Sequence, residues 1–472
     1  MSAKPVLLTA YADTEAAIAA INRVGIDHYL LKPWDPPEER LFPVLEALLE
    51  EWRAHAKPVF EGIRVAGTTL SATSYAVRDF LSSNQVPYRW IELEDDAATR
   101  ALVAAIDPGL TRLPVVFFPD GSALVQPSAR ELAERIGLST RAQQKFYDLV
   151  IVGAGPAGLA AAVYGASEGL RTLLVERNAP GGQAGTSSFI ENYLGFPDGV
   201  TGAELAQRAA TQAKRFGTEV LTAVDATAVV RNDPYRTVQL SDGTSVSCYA
   251  VLLASGMEVR RLAVQGCEPL VGTGVYYGSA LSEANTYRGR DVVVVGGANS
   301  AGQGALFFSR YARSVTMLVR AASLGVNMSQ YLVDRIAETA NILVRPSTVV
   351  VAVHGSGALE AVTVRDTRTG IESELPAAAM FIFIGTAPHT QMVDGLVERD
   401  AQGFILTGRD IPAGNGRPKG WTADRDPFPF ETSVPGIFAA GDSRHGSGKR
   451  VAAAVGEGSA TVSMIHQYLQ TV

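Results

Sequence analysis

An α/β fold is predicted in which a doubly wound parallel sheet occurs twice. Residues 148–152 form an apolar strand run that opens directly on Gly153-Ala154-Gly155-Pro156-Ala157-Gly158 and then on a helical segment. Residues 291–295 (DVVVV) repeat the pattern ahead of Gly296-Gly297-Ala298-Asn299-Ser300-Ala301. A strand, a glycine-rich turn and a helix in direct succession form the phosphate-holding corner of a Rossmann-like unit. A third observation concerns the first 143 residues, where shorter strand–helix alternations predict smaller α/β modules.

The chain has 472 residues, a length suited to about three domains. With 47% apolar and 19% charged residues, it has the balance of a chain that buries several cores. Lys plus Arg number 41 against 48 Asp plus Glu, giving a net charge of −7. That excludes the basic footprint of a nucleic-acid binder. No run of about 18 apolar residues is present, so no membrane span is expected. The strongest apolar stretch, 377–387, reads as a buried strand. Acidic residues come too early in the chain for a secretory leader. The two cysteines, Cys248 and Cys267, supply neither a disulfide framework nor metal-ligand spacing, and a reducing cytoplasm is expected.

Residues 1–56 read strand, helix, strand, helix. The second strand ends at Lys32-Pro33, and the last helix opens on prolines and acids. Thr9-Ala10, Tyr29 and Lys32-Pro33 resemble the second half of a response-regulator receiver, whose phosphoacceptor would lie earlier in the chain. The resemblance gives Thr9 and Lys32 the phosphate-contacting roles and Tyr29 the aromatic switch, in a remnant that lacks the usual phosphorylation.

Residues 57–143 read β-α-β-α-β-α, an order that resembles a thioredoxin or glutaredoxin fold. Leu113-Pro114 falls where that fold carries a cis proline. The redox motif would fall within 68–74, which contains no cysteine. A hydroxyl cannot act as the thiolate of disulfide exchange, so a redox-silent packing or docking module is expected.

The first dinucleotide unit continues through a helix to strand 171–176, which ends in Glu176. Its glycines permit the tight turn and close pyrophosphate approach, and the acid suits ribose hydroxyls. In the second unit the following strand ends at Arg320, with no acid. An arginine there accommodates a 2′-phosphate, so this unit leans to NADP(H). Ala298 replaces the second glycine of the pattern, which leaves open a structural unit without cofactor.

Gly181-Gly182-Gln183, residues 190–193, Ala254-Ser255-Gly256, Ile384-Gly385 and residues 436–442 then follow in order. With both turns, this series resembles the thioredoxin reductases over about 146–472. The whole order resembles fused response-regulator/thioredoxin-reductase-like proteins. The resemblance implies an FAD-binding domain of 144–258 and 376–472, and an NADPH-binding domain of 259–375. It assigns Gly153, Gly155, Pro156, Ala157, Gly158, Glu176, Gly182, Gln183, Asn192, Ala254, Gly256, Gly441, Asp442, Arg450, Val451 and Ala452 to FAD. Asp442 would bind the ribityl chain, and the helix from 450 would point its N-terminus at the isoalloxazine. Gly296, Asn299, Ser300, Ala301, Arg320 and Gly385 would hold NADPH.

The family's dithiol falls on Ser279 and Ser282, followed by Glu283 in the place of a family acid. Serine neither stores electrons as a disulfide nor relays them. Ser279, Ser282, Glu283, Tyr276 and Tyr277 are candidates to line the vacated flavin face. His445 is a loop histidine close in sequence to Asp442. Cys248 reads as a buried strand thiol, and Cys267 is a candidate for exposure. The expected function is hydride transfer from NADPH to FAD and electron delivery to an external small-molecule or protein acceptor. The resemblance also implies a homodimer. The alternative is a non-enzymatic flavin redox sensor.

Overall fold

The structure is a computed structural model. It describes residues 6–9, 28–31, 36–46, 62–69, 71–187, 189–278, 286–414, 417–418 and 420–472. Two compact units emerge: residues 1–63 with 118–121, and residues 64–117 with 122–472.

In the first unit, β1 (Val6–Thr9) and β2 (His28–Leu31) pair in parallel, Val6 opposite His28. A short helix α1 (Pro37–Arg40) begins on Pro37, a residue suited to the first helical position because its missing N–H has no partner to lose there. Thr9 and Tyr29 sit on the paired strands, and Lys32 lies outside the described residues.

The larger unit opens on a small sheet of order β4-β3-β5-β6. Its elements are β3 (Ile63–Gly67), α2 (Ala72–Ser83), β4 (Tyr88–Glu92), α3 (Ala97–Ile106), β5 (Val115–Phe117), β6 (Ala123–Val125) and α4 (Ala129–Arg135). Ser71, Asp96 and Ser128 each accept a backbone N–H three residues on, so each helix starts on its own capping side chain. Strand β6 is absent from the expected order. It is three residues long and half-buried, too short to show a period-2 signal. The Leu113–Pro114 peptide bond is cis.

The first large sheet contains β7 (Phe146–Val152), β8 (Thr172–Glu176), β9 (Glu219–Thr222), β10 (Ala226–Asn232), β11 (Tyr235–Leu240) and β12 (Ser245–Leu253). Strands β9, β8, β7 and β12 run parallel, and β10 and β11 extend the sheet antiparallel from β12. Helix α5 (Pro156–Ser167) follows β7; a short turn α6 (Gly182–Gly185) and helix α7 (Gly202–Arg215) separate β8 from β9. The parallel strands are buried on both faces and read as continuous apolar runs.

A two-stranded crossing, β13 (Met257–Val259) with β22 (Thr386–Pro388), joins this sheet to the second. The second sheet has the parallel order β14-β21-β15-β16-β17. Its strands are β14 (Val275–Tyr277), β15 (Asp291–Val295), β16 (Ser314–Leu318), β17 (Ile342–Arg345) and β21 (Ala379–Ile382). Helices α8 (Asn299–Phe308) and α9 (Gln330–Glu338) pack against it. An antiparallel meander, β18 (Thr348–His354), β19 (Ala361–Asp366) and β20 (Glu372–Pro376), interrupts it. Because β21 belongs to this sheet, sheet membership returns the chain to the first sheet after Ile382, later than the expected 376.

A short pair, β23 (Ala413–Gly414) and β24 (Arg417–Pro418), precedes β25 (Ile437–Ala439), which adds to β12 in parallel. The chain then enters α10 (Val451–Leu469). Helix α10 lies directly on α5: a Cβ on Gly458 would stand 2.1 Å from the Ala157 carbonyl oxygen.

The small sheet's module touches both large sheets' domains. The Tyr75 ring meets Tyr276 edge-on at 5.8 Å, and a Cβ on Gly272 would lie 3.0 Å from the Ala72 Cα. At the other end of α2, Asn84 Nδ2 donates to the Asn178 carbonyl at 3.3 Å and Gln85 Nε2 to that of Ala203 at 2.6 Å. Arg130 pairs with Asp242 at 3.3 Å.

Candidate functional site: two dinucleotide crevices

In the first large sheet the strand order reverses between β7 and β12, and their carboxyl ends lie side by side. That is the switch point where open α/β sheets bind ligands. Gly153 leaves β7 at φ +99°, and a Cβ there would stand 2.4 Å from the Ala254 carbonyl oxygen at the end of β12. On Gly158 a Cβ would sit 1.9 Å from the Gly153 oxygen. Gly155 is different: a Cβ there would meet nothing within 4 Å. Its space faces the N-terminus of α5, where, among the described residues, no side chain caps the first N–H groups and Pro156 opens the helix. Free N–H donors, a positive helix end and open room suit a diphosphate.

Other expected residues gather around this corner. Glu176 ends β8 only 8% exposed. Its carboxylate accepts the Ala154 N–H at 2.8 Å and the Asn178 N–H at 2.9 Å. Burial pushes its pKa up, yet each oxygen keeps a lone pair for a hydroxyl donor. The Gly181 N–H donates to the Ala154 carbonyl at 2.7 Å, and a Cβ on Gly182 (φ +54°) would lie 3.1 Å from the Gly155 Cα. Gln183 Nε2 donates to the Met257 carbonyl at 2.8 Å. Gly441, just past β25, brings its Cα against Ala157; a Cβ there would be 3.0 Å from the Ala157 Cβ. Asp442 is half-buried, with its pKa raised by desolvation and opposed by the Lys449 charge. Helix α10 begins after Arg450 with no side-chain cap. Asn192 is exposed in the loop that the Ile190–Val200 pair closes. The fold thus brings the turn, Glu176, the 181–183 segment, Ala254 and Gly441 to one crevice. The open cradle at Gly155 and the acceptor set of Glu176 fit FAD.

The second crevice repeats the design. Gly296, at φ +147°, would place a Cβ 2.5 Å from the Phe383 oxygen and 3.0 Å from the Ala301 Cβ. Ala301 is fully buried beneath the turn, and Ser300 is exposed. Ala298 caps α8 in extended conformation with no side-chain bond, so among the described residues the helix's leading N–H groups again lack a side-chain partner. Asn299 is tied to the start of α9: its Nδ2 donates to Ser329 Oγ at 3.1 Å and its Oδ1 accepts the Ser329 N–H at 2.8 Å. Arg320 is exposed two residues past β16, and Gly385 (φ +87°) accepts the Arg260 N–H at 3.1 Å. The free helix end, the exposed guanidinium and the missing strand-end acid fit NADPH.

Two expectations change, those for Tyr276 and Cys267. Tyr276 does not line a cofactor face. It is 2% exposed, stacks on Phe381 at 5.3 Å and shares its hydroxyl with Tyr287 at 2.8 Å. Tyr277 Oη accepts the Leu262 N–H at 3.0 Å. Cys267 is not at the surface; it is 1% exposed among Leu270, Val275 and Val353. Cys248 is fully buried on β12, in a separate apolar cluster, and burial pushes its thiol up to about 12. His445 is paired with Asp400 at 2.9 Å. Ser279, Ser282 and Glu283 lie outside the described residues. Sequence reading also missed Ser329, Arg444 and Glu457, which act through partners 13 to 30 residues away. Among the described residues no cluster could hold a metal ion, and no helix is long and apolar enough to cross a membrane.

These two crevices define a two-nucleotide oxidoreductase. The profile of the pyridine nucleotide-disulphide oxidoreductases matches residues 147–458, and the chain belongs to that family. It is an NADPH-dependent flavoprotein oxidoreductase with FAD and NADPH as cofactors. It is 33% identical over 329 residues to the thioredoxin reductase of Bacillus subtilis, across 70% of this chain and 96% of that one. It is likewise 33% identical over 328 residues to the bifunctional thioredoxin reductase/thioredoxin of Mycobacterium leprae, covering 70% and 67%. Among solved structures, Lactococcus lactis thioredoxin reductase superposes with a TM-score of 0.58 at 28% identity, covering 69% of this chain and all of that one.

Proposed function

We propose that this protein moves reducing equivalents from NADPH to an external acceptor without a thiol relay of its own. The observation that carries this reading is the state of its thiols: Cys248 and Cys267 are both buried, in different apolar clusters. At the positions where the resemblance places a dithiol, the chain has Ser279 and Ser282, with Glu283 beside them. FAD, when bound, supplies the hydride and electron chemistry. The chain's residues hold and orient: the turn at 153–158 takes the diphosphate, Glu176 the adenosine ribose, Asp442 the ribityl chain, and the start of α10 favours negative charge beside it. Gly182, Gln183, Asn192, Ala254 and Gly256 complete the flavin crevice in this reading. Arg320 reads the 2′-phosphate of NADPH. The acceptor belongs to one of four classes: a quinone, an iron–sulfur carrier, oxygen or an external disulfide. An anaerobic screen that follows flavin reoxidation after NADPH reduction tests this; reoxidation by none of the four overturns it.

Arg320→Ala is expected to lower the efficiency with NADPH about tenfold or more and leave that with NADH nearly unchanged. A charge-assisted contact to phosphate contributes about 1.5–3 kcal/mol. Equal losses with both nucleotides would remove Arg320 from that role. In a separate measurement, both thiols should resist an aromatic disulfide reagent in the native protein and react fully in denaturant. Fast native labelling of either one would contradict the buried state.

Under the same reading, residues 1–56 are a receiver-like remnant and 57–143 a thioredoxin-like module without its cysteines. The sheet order β4-β3-β5-β6 and the Ser71-x-x-Ser74 spacing at the start of α2 support the second assignment. The expected FAD domain of 144–258 and 376–472 then becomes 144–258 and 383–472, with 259–382 the NADPH domain, because β21 pairs within the second sheet. A reducing, cytoplasmic setting accords with two unpaired buried thiols. A homodimer accords with an apolar groove between α5, α7 and α10 that encloses about 380 Å³. Exposed Tyr164 and Phe216 line this groove. Size-exclusion chromatography with light scattering should give twice the chain mass, and Tyr164→Glu should shift it toward monomer. A monomeric wild type would remove this assignment.

A further inference from the structure

Glu457 lies about two turns inside α10, where its side chain is 11% exposed. Its carboxylate accepts three donors from the loop after β25: the Gly441 N–H at 2.7 Å, Arg444 Nε at 3.1 Å and Arg444 Nη2 at 2.6 Å. Arg444 is 13% exposed. Its Nη1 donates to the His445 carbonyl at 2.8 Å, and its guanidinium lies 5.1 Å from the Phe430 ring centre. A near-buried ion pair of this kind is weak evidence for stability, because desolvation offsets most of its attraction. Its geometry is informative, because it fastens two particular segments together. One is the Gly441-Asp442 loop, and the other is the helix whose uncapped N-terminus begins at Val451.

We propose that Glu457 and Arg444 are a positioning pair for the flavin, locking Asp442 and the α10 N-terminus into one body and balancing charge behind them. This rests on reading 441–442 and 450–452 as flavin-holding segments. Gly441 has φ +74° and its N–H is held by Glu457, so the loop's direction depends on that carboxylate. Asp442 feels the Glu457 charge as well as its own burial, with Lys449 opposing both. The pair as a whole contributes little net charge; each partner alone would contribute a full one in a poorly solvated place.

The test uses near-isosteric variants of the full chain. Glu457→Gln keeps an acceptor for the Gly441 N–H but leaves Arg444 uncompensated, so the flavin midpoint potential should rise. Arg444→Gln leaves Glu457 uncompensated, so the potential should fall. Glu457→Ala, which removes all three bonds, should weaken FAD binding about tenfold in a titration of the stripped protein, and Glu457→Gln should restore most of that loss. Opposite-signed potential shifts are the expected result. Shifts of the same sign, or none, would overturn the proposal, since a merely structural pair has no reason to separate the two charges. If Glu457→Ala fails to fold, the two glutamine variants decide the matter. Wild type is the control arm: if it takes up no FAD, the assignment of the crevice itself fails. If it takes up FAD and the variants match it, only the positioning role fails.

Discussion

Gly155→Val should yield a folded, colourless protein, with FAD affinity lowered at least a hundredfold. Gly155 sits at φ −71° and ψ −178°, extended backbone open to any residue, and its Cβ direction is empty to 4 Å. The substitution therefore costs the apoprotein little. On the proposed assignment of this turn, the branched side chain fills the space that the diphosphate would take. A hundredfold loss corresponds to about 2.7 kcal/mol, of the order of a few displaced charge-assisted hydrogen bonds. Gly158→Val is the contrasting control. Its Cβ would stand 1.9 Å from the Gly153 oxygen, so it should damage the fold itself and lower the melting temperature. Flavin absorbance, FAD titration and circular dichroism separate the two outcomes. A Gly155→Val protein that retained FAD at wild-type affinity would show that the diphosphate does not use this turn.

Reduction of a thioredoxin disulfide through internal thiols should be undetectable. Such a relay needs two thiols able to join and part, which requires Cα atoms within about 7 Å and access to both partner and flavin. Cys248 lies in the core of the first sheet and Cys267 in that of the second, both closed to solvent. A thiol pushed up to about 12 is protonated at neutral pH and is a poor nucleophile. NADPH turnover with a working acceptor should therefore be unchanged in a Cys248→Ala/Cys267→Ala double variant. Thioredoxin reduction present in wild type and lost in that variant would overturn the reading. Reduction that persisted in it would mean that an external disulfide meets the flavin directly.

The dinucleotide turns were legible because their signals are local. Gly153 to Gly158 span six residues between a strand and a helix, and the structural reason for each glycine lies within that corner or against the adjacent strand end. Buried Cys248 was legible for the same reason, from strand alternation. Features that depend on distant pairing were not. Tyr276 looked like a lining residue from its place in the chain, and the stacking on Phe381 that buries it comes from a strand about a hundred residues later. Glu457 looked like one more polar helix residue until the fold delivered Arg444 and Gly441 to it. Short β6 carries too few residues for any pattern, and it exists because β5 offers it an edge.

The contacts at the two ends of α2 have a mechanical consequence. Tyr75 near its start rests on the domain of the second sheet, and Gln85 just past its end is bonded to that of the first. An α-helix rises about 1.5 Å per residue and resists stretching, so this segment is a rod of about 15 Å between two anchorages. Among the described residues, the β13–β22 crossing also joins the two nucleotide domains, a connection that by itself permits pivoting. A crossing that bends, together with a rod that keeps its length, makes a linkage with fewer degrees of freedom than the crossing alone. The module thus adds a second connection between the two domains, at Tyr276 on one side and Ala203 on the other.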